Sequence, residues 1–285
     1  MSVHTLSCYP VAAFGTDDQK AAHLPGMVGG DLLGAYCLSE SGSGSDAAAL
    51  TTRAEPVEDG FRVNGAKAWI THGGLADYYA VFARTGSPES GTGGISCFHV
   101  PAATPGVGAA APEHKMGMSS SPTAGVLFDD VELGPDALVG ERDRGFGIAL
   151  AALDSGRLGI AACAVGLAQA ALDTALAYSR ERRQFGQAIG DFQGVGFMLA
   201  DMATQIAASR ELYLAAARLR DAGRPFATRA AMAKLMATDT AMRVTTDASR
   251  SSAATATPAT SPSSATCARP RSSRSSRAPT RSSAW

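Results

Sequence analysis

Near residue 135 the chain changes from one periodicity to another, and few architectures accommodate both. From Gly34 to about Leu133 it is built of short runs suited to strands: 51–56, 61–63, 67–71, 78–83, 95–100 and 125–131. These runs are rich in β-branched and aromatic residues and are punctuated by Gly and Pro. Asn64-Gly65 falls between two of them, a pair that favours a tight hairpin. Beyond Asp136 apolar residues recur near helical spacing to about Arg183, then again over 193–218 and 227–248, with alanine abundant throughout. Short breaks at Phe185-Gly186 and Gly223-Arg224-Pro225 join these helices into a bundle. Strands segregated from helices predict an α+β chain, a small barrel or sandwich followed by the bundle. Ahead of the strands, Thr16-Asp17-Asp18-Gln19 is a capping-box pattern opening a short helix that Leu24-Pro25 closes.

At 285 residues the chain has length for two domains and a sizeable core. A formal net charge of -1 gives no bulk attraction to nucleic acid or to a membrane surface. The five cysteines have neither metal-ligand spacing nor an even count, which fits a reducing, cytoplasmic setting. No signal peptide is legible at the start, and the apolar helical runs read as too often broken by charges to span a bilayer. His72, His99 and His114 lack metal-ligand spacing and any nucleophile partner, so hydrolytic and metal chemistry find no support.

Two segments carry chemistry. Tyr36-Cys37-Leu38-Ser39-Glu40-Ser41-Gly42-Ser43-Gly44-Ser45-Asp46 runs from an apolar strand end into a loop of hydroxyls and glycines. Such a loop lets backbone N–H groups approach a polar ligand closely, although it also serves as an ordinary turn. Ala68-Trp69-Ile70-Thr71-His72-Gly73-Gly74 adds a planar indole beside a hydroxyl and two glycines. A flat, partly polar cofactor asks for that pairing of an aromatic wall with fixed donors, and a core aromatic of the barrel is the plainer account of Trp69.

In these motifs the chain resembles the acyl-CoA dehydrogenases, over roughly residues 1–248. The family's first signature is a hydrophobic residue, Ser or Thr, Glu, two residues, a small residue, Gly, Ser or Thr and Asp; Leu38 to Asp46 fits, with Ser41 in place of the usual proline. The resemblance implies an FAD enzyme that oxidises an acyl-CoA thioester to its 2,3-enoyl form and passes electrons to an electron-transfer flavoprotein. It implies a remnant of an N-terminal helical domain over 1–34, a middle β-barrel domain over 35–135, a C-terminal helical bundle over 136–248, and an aberrant tail over 249–285. It also implies a homo-oligomer, a tetramer or dimer, without nucleic-acid or membrane partners.

For the cofactor, the resemblance assigns Tyr36, Cys37, Leu38, Ser39 and Ser45 on one side and Trp69, Ile70 and Thr71 on the other. Ser39 would place its hydroxyl near the ring's N5/O4 edge. Arg182, Gln184, Phe185 and Gln193 would meet the dinucleotide, with Arg182 crossing a subunit boundary to the pyrophosphate. A planar guanidinium suits two phosphate oxygens; near a helix C-terminus Arg182 also simply complements the dipole. Ser45, Asp154 and Arg157 would bind the CoA moiety, although Asp154 and Arg157, three apart on one helix, would equally make a surface ion pair. Lys115-Met116-Gly117 and Ser121-Pro122-Thr123 match a family stretch that reads as barrel structure.

From Ser249 to Trp285 the sequence holds no Leu, Ile, Val, Met, Phe, Asp, Glu, Lys or Gly. A disordered linker or a basic interaction arm would have such a composition. A shifted reading frame explains more. Written in G+C-rich codons and regrouped by one base, Ser249–Ala254 becomes VQVLGG, Thr260–Ser272 becomes DFPVERYMREAKV and Arg277–Trp285 becomes EGTNQIQRL. The family ends on a glycine pair, then PVER, EGT and IQR, in that order. The glutamate of EGT is the base that removes the 2-proton, and its codon would straddle Ser276 and Arg277. The chain is therefore expected to carry no catalytic carboxylate, to lack the glycine pair at a neighbouring flavin, and to fold less well for want of its last helix. An acyl-CoA oxidase, a flavin monooxygenase of the same fold, and a non-catalytic FAD- or CoA-binding pseudoenzyme are the rival readings.

Overall fold

The fold is given by a computed structural model that describes residues 2–251. The re-read tail from residue 252 onward, with Ser276 and Arg277, lies outside the described residues. Contacts divide the chain into two units, residues 2–114 with 119–156, and 115–118 with 157–251.

The first unit opens with helices α1 (Ser2–Phe14) and α2 (Asp17–Gly29). The capping box forms: Gln19 N–H donates to Thr16 Oγ1 at 3.1 Å, and Thr16 N–H to Gln19 Oε1 at 2.9 Å. The Gln19 amide also donates to Asp136 O and Leu138 O, so the cap fastens the helix to a strand far along the chain. Pro25 does not close α2; the helix runs four residues further and ends at Gly30, φ +90. Pro25 lies exposed, where water can serve the backbone carbonyl its missing N–H leaves unbonded.

The strands are β1 (Gly34–Cys37), β2 (Arg53–Val57), β3 (Gly60–Thr71), β4 (Tyr78–Arg84), β5 (Ile95–Pro101), β6 (Val107–Ala109), β7 (Thr123–Leu133) and β8 (Leu138–Val139). They form one sheet in the order β6-β7-β3-β2-β4-β5-β8, and β1 pairs in parallel with β4. The sheet curls. Phe61 on β3 and Phe98 on β5 are three strands apart in this order, yet their ring centroids lie 5.0 Å apart. A flat sheet would separate such strands by about 14 Å, at ~4.8 Å per step. Inside the curl pack Ala35, Cys37, Val63, Val81, Phe98 and Phe128. The opposite faces of β1 and β4, through Tyr36, Leu38, Tyr78 and Phe82, pack with α1, α2 and the start of the next helix. Both strands are therefore buried throughout.

Asn64-Gly65 makes no hairpin. β3 continues through it, and the β2–β3 turn falls instead at Glu58-Asp59, closed by the pairing of Val57 with Gly60. Asn64-Gly65 marks a register shift against β7. There the Asn64 side chain bonds Asp130 twice, at 2.9 and 2.8 Å. Gly65 adopts φ +147, and a Cβ would lie 2.6 to 2.8 Å from Thr52, so only glycine fits.

Helix α3 (Gly145–Glu181) gives its first turns to the first unit and the rest to the second. The second unit adds the two-stranded ribbon β9 (Arg183–Gln184) and β10 (Gln187–Ala188), then α4 (Gln193–Asp221) and α5 (Ala227–Ser251). Ala168, Ala171, Ala175, Ala233, Ala237 and Ala241 pack with Leu172, Met202 and Ile206 in their core. α3 corrects one expectation: it is long and apolar enough to cross a membrane, because its central stretch is nearly free of charge. In this fold, part of that stretch faces the alanine-lined core.

Candidate functional site

β1 delivers its last residues to a loop that is pinned at its Glu40–Ser43 turn. Glu40 and Ser43 bond each other's backbones at 2.9 and 3.1 Å, closing a tight turn over Ser41 and Gly42. Ser43 Oγ donates to Asp46 O at 2.7 Å. Further along, the buried Arg84 guanidinium donates to Ala48 O, Leu50 O and Gly91 O, holding the segment beyond the loop. Ser41, Ser45 and Asp46 remain exposed, and a Cβ placed on Gly42 or Gly44 would meet nothing within 4 Å.

Beside this loop β3 bulges. Lys67 pairs with Val126 and Ile70 with Ala124, so Ala68 and Trp69 together face Gly125 alone. The extra residue redirects the strand and its side chains. Ala68 N–H is released to Ser39 O at 2.9 Å, joining the bulge to the end of β1. Trp69 takes φ +56 and its indole stands 58% exposed, while Ile70 behind it is buried. Non-glycine residues on left-handed backbone are held there only by their surroundings. His72, at φ +69, is fixed by its ring nitrogen donating to Gly34 O at 3.0 Å and its N–H to Pro122 O.

The candidate residues divide by what they can offer. The side chains of Tyr36, Cys37 and Leu38 belong to the core; Tyr36 donates its hydroxyl to Ala149 O at 3.1 Å and packs on Phe82. Ser39 and Thr71 are half-buried, and Ser45 and Trp69 are open to solvent. These residues and Asp154 lie in the first unit, Asp154 on α3. Arg157, Arg182, Gln184, Phe185 and Gln193 lie in the second. There the β9–β10 ribbon turns through Phe185 at φ +54 and Gly186 at φ +82. Phe185 is 94% exposed, its ring edge-on to Phe192, and Arg182, Gln184 and Gln193 are exposed around it.

Two further residues belong to the site although their motif gave them no role. Lys67 and Glu40 form an ion pair at 2.8 Å with both side chains buried. Lys67 Nζ also donates to Leu38 O at 3.2 Å. Glu40 accepts from Thr51 N–H, Thr51 Oγ1 and Thr52 N–H at 2.7, 2.7 and 3.0 Å. Burial pushes the Glu40 carboxyl upward, but the Lys67 charge and hydrogen bonds from Lys67, Thr52 and Thr51 outweigh it and hold the pKa at about 2. Burial moves Lys67 the other way, downward, against the attraction of Glu40. The sequence signal was a lysine sharing strand parity with the buried Phe61 and Val63.

No group of His, Cys, Asp and Glu suited to a metal occurs among the described residues. Each unit by itself offers groups that fit part of a flat dinucleotide such as FAD: the first an exposed indole, a half-buried hydroxyl and open glycines, the second arginines beside another exposed aromatic.

Known proteins share this fold. Residues 35–131 match the middle domain of acyl-CoA dehydrogenases and residues 143–256 their C-terminal domain. A probable acyl-CoA dehydrogenase of Bacillus subtilis is 45% identical over 239 residues, which cover 84% of this chain and 63% of that protein. The solved butyryl-CoA dehydrogenase of Megasphaera elsdenii superposes with a TM-score of 0.93 at 39% identity, over 97% of this chain and 73% of that one. A chain from a structure described as the electron transferring flavoprotein of Acidaminococcus fermentans superposes equally well, 0.93 at 40% identity, covering 96% of this chain and 72% of its own. The chain thus spans under two thirds of that Bacillus relative's length, and on both domain matches and the structural likeness it belongs to the acyl-CoA dehydrogenase family.

Proposed function

We propose that the chain carries the FAD seat and part of the acyl-CoA site of an acyl-CoA dehydrogenase that forms 2,3-enoyl-CoA. Short acyl groups are the first substrates to test, given the likeness to butyryl-CoA dehydrogenase. The observation that carries this reading is the Trp69 indole, held exposed on left-handed backbone and tied through Ala68 to the Ser39 loop. A core aromatic would be neither strained nor open to solvent.

FAD, when bound, supplies a hydride acceptor for the acyl C3. The protein's own residues supply position and exclusion. The exposed Trp69 indole would serve as an aromatic wall for a flat ring and would keep water from it. Ser39 and Thr71 offer hydroxyls to polar atoms at a ring edge, and the open glycines let backbone come close. Arg182, close in sequence to the exposed Phe185, would offer its guanidinium fork to phosphate oxygens. By the family resemblance, Ser45 and Asp154 in the first unit and Arg157 in the second would each be candidates to meet the CoA portion. In a homo-oligomer the second group would serve a neighbour's dinucleotide, and an electron-transfer flavoprotein would collect the electrons.

Removal of the 2-proton needs a carboxylate that this reading frame does not deliver near Ser276 and Arg277. Absence of a positioned base costs roughly 10²–10⁴-fold. The chain should therefore bind FAD and butyryl-CoA yet bleach slowly when mixed anaerobically. Restoring one nucleotide after Ala248, in a chain also supplied with the N-terminal helices that the family carries, should accelerate bleaching by that factor. A frame-restored protein that holds FAD but ignores every acyl-CoA offered would sink the dehydrogenase reading.

A further inference from the structure

Glu40 and Lys67 touch both walls of the proposed seat while exposing almost nothing to solvent themselves. Lys67 is the residue immediately before the bulge, and its ammonium reaches back to Leu38 O at the end of β1. Its partner carboxylate follows Ser39 directly and uses both oxygens: Oε2 for the Thr51 N–H and hydroxyl, Oε1 for Thr52 N–H and Lys67. One ion pair thereby ties the β1 terminus to the β3 bulge and shuts the hydroxyl–glycine loop at its far end. Neither group is open to a ligand, so their influence on one passes through what they hold.

We propose that the Glu40–Lys67 pair is a positioning clamp, fixing the Ser39 hydroxyl and the Trp69 indole at the separation a bound flavin ring requires. The proposal rests on the flavin seat argued above. Neutralising one partner leaves a buried charge without its counter-ion, which destabilises whatever the function. The informative variant is Glu40→Gln with Lys67→Met, which removes both charges at similar volume. The thioether introduced at position 67 cannot donate to Leu38 O. The single carbonyl oxygen of the amide at position 40 cannot serve both Thr51 and Thr52 in the present geometry.

The test uses the full chain and three readouts: thermal melting, amide hydrogen exchange without cofactor, and FAD titration followed by absorbance and Kd. The double variant should melt within a few degrees of the parent. Its Ala68 and Thr51 or Thr52 amides should exchange at least tenfold faster, and its FAD Kd should rise tenfold or more, with the bound spectrum moving toward that of free FAD. Lys67→Arg, which keeps a donor for Leu38 O and a partner for Glu40, should retain more affinity than the double variant.

Unchanged exchange at those amides would overturn the clamp. Faster exchange with a parental FAD Kd and spectrum would overturn its positioning role. If the double variant fails to fold, the comparison passes to Lys67→Arg, whose affinity must then track the Ala68 exchange rate; independence of the two would overturn the proposal. A parent chain that takes up no FAD would count against the seat, and amide exchange would still judge the clamp alone.

Discussion

Left-handed backbone at an exposed tryptophan stores strain of about 1–3 kcal/mol that glycine would not feel. Trp69 at φ +56 and Phe185 at φ +54 share this condition, and both rings lie mostly in solvent. Relief of that strain is offset by the greater unfolded-state freedom of glycine, so Trp69→Gly should stay within about 1 kcal/mol of the parent, while FAD affinity falls. Denaturant melts beside FAD titrations would separate the two effects. A loss of more than about 1 kcal/mol would mean that the indole is structural after all. The buried pair behaves oppositely. Lys67→Met alone should cost about 3–5 kcal/mol, because Glu40 is left charged without its partner. Since the folded Glu40 pKa, about 2, lies below that of an unfolded glutamate near ~4.3, its contribution is complete above about pH 5. That contribution is lost as pH falls from about 4.5 through 2. Stability measured over that range should fall less steeply in the Glu40→Gln, Lys67→Met double variant than in the parent. An identical acid limb would show that the pair is not linked to folding.

Among the elements, β3 does most to build the site, because its two irregularities have different causes. At Gly65 the strand passes so close to Thr52 that no side chain is admitted, and Gly65→Ala should cost about 2 kcal/mol or more. At Ala68-Trp69 an extra residue lifts the indole out of the sheet. The first site misled the sequence reading: Asn-Gly suggests a turn by local conformation, but the Asn64 bonds to Asp130 belong to β7, remote in sequence. Pro25 misled it likewise, because a helix tolerates proline where the carbonyl it frees can meet water. The strand runs, the capping box and the alanine helices were legible, since periodicity and capping are local. The Glu40–Lys67 pair was not, because only the bulge and the β1–β3 juxtaposition bring those residues together. Alanine periodicity also announces tight packing: Ala237→Leu, fully buried among α3, α4 and α5, should destabilise by about 1–3 kcal/mol from crowding. A parental melting temperature for that variant would mean that the alanine core is loosely packed.

For the whole molecule, family membership rests on both domain matches and the structural likeness, whereas the proposed seat for FAD rests on the arrangement around Trp69 and Ser39. The chain contains two tryptophans, Trp69 and Trp285, so Trp285→Phe leaves one indole as a reporter. Titrating that variant with FAD while recording indole emission tests the seat directly. Saturable quenching that reaches its plateau at one FAD per chain is the predicted result. FAD binding that leaves the emission untouched, or no binding at all, would contradict it.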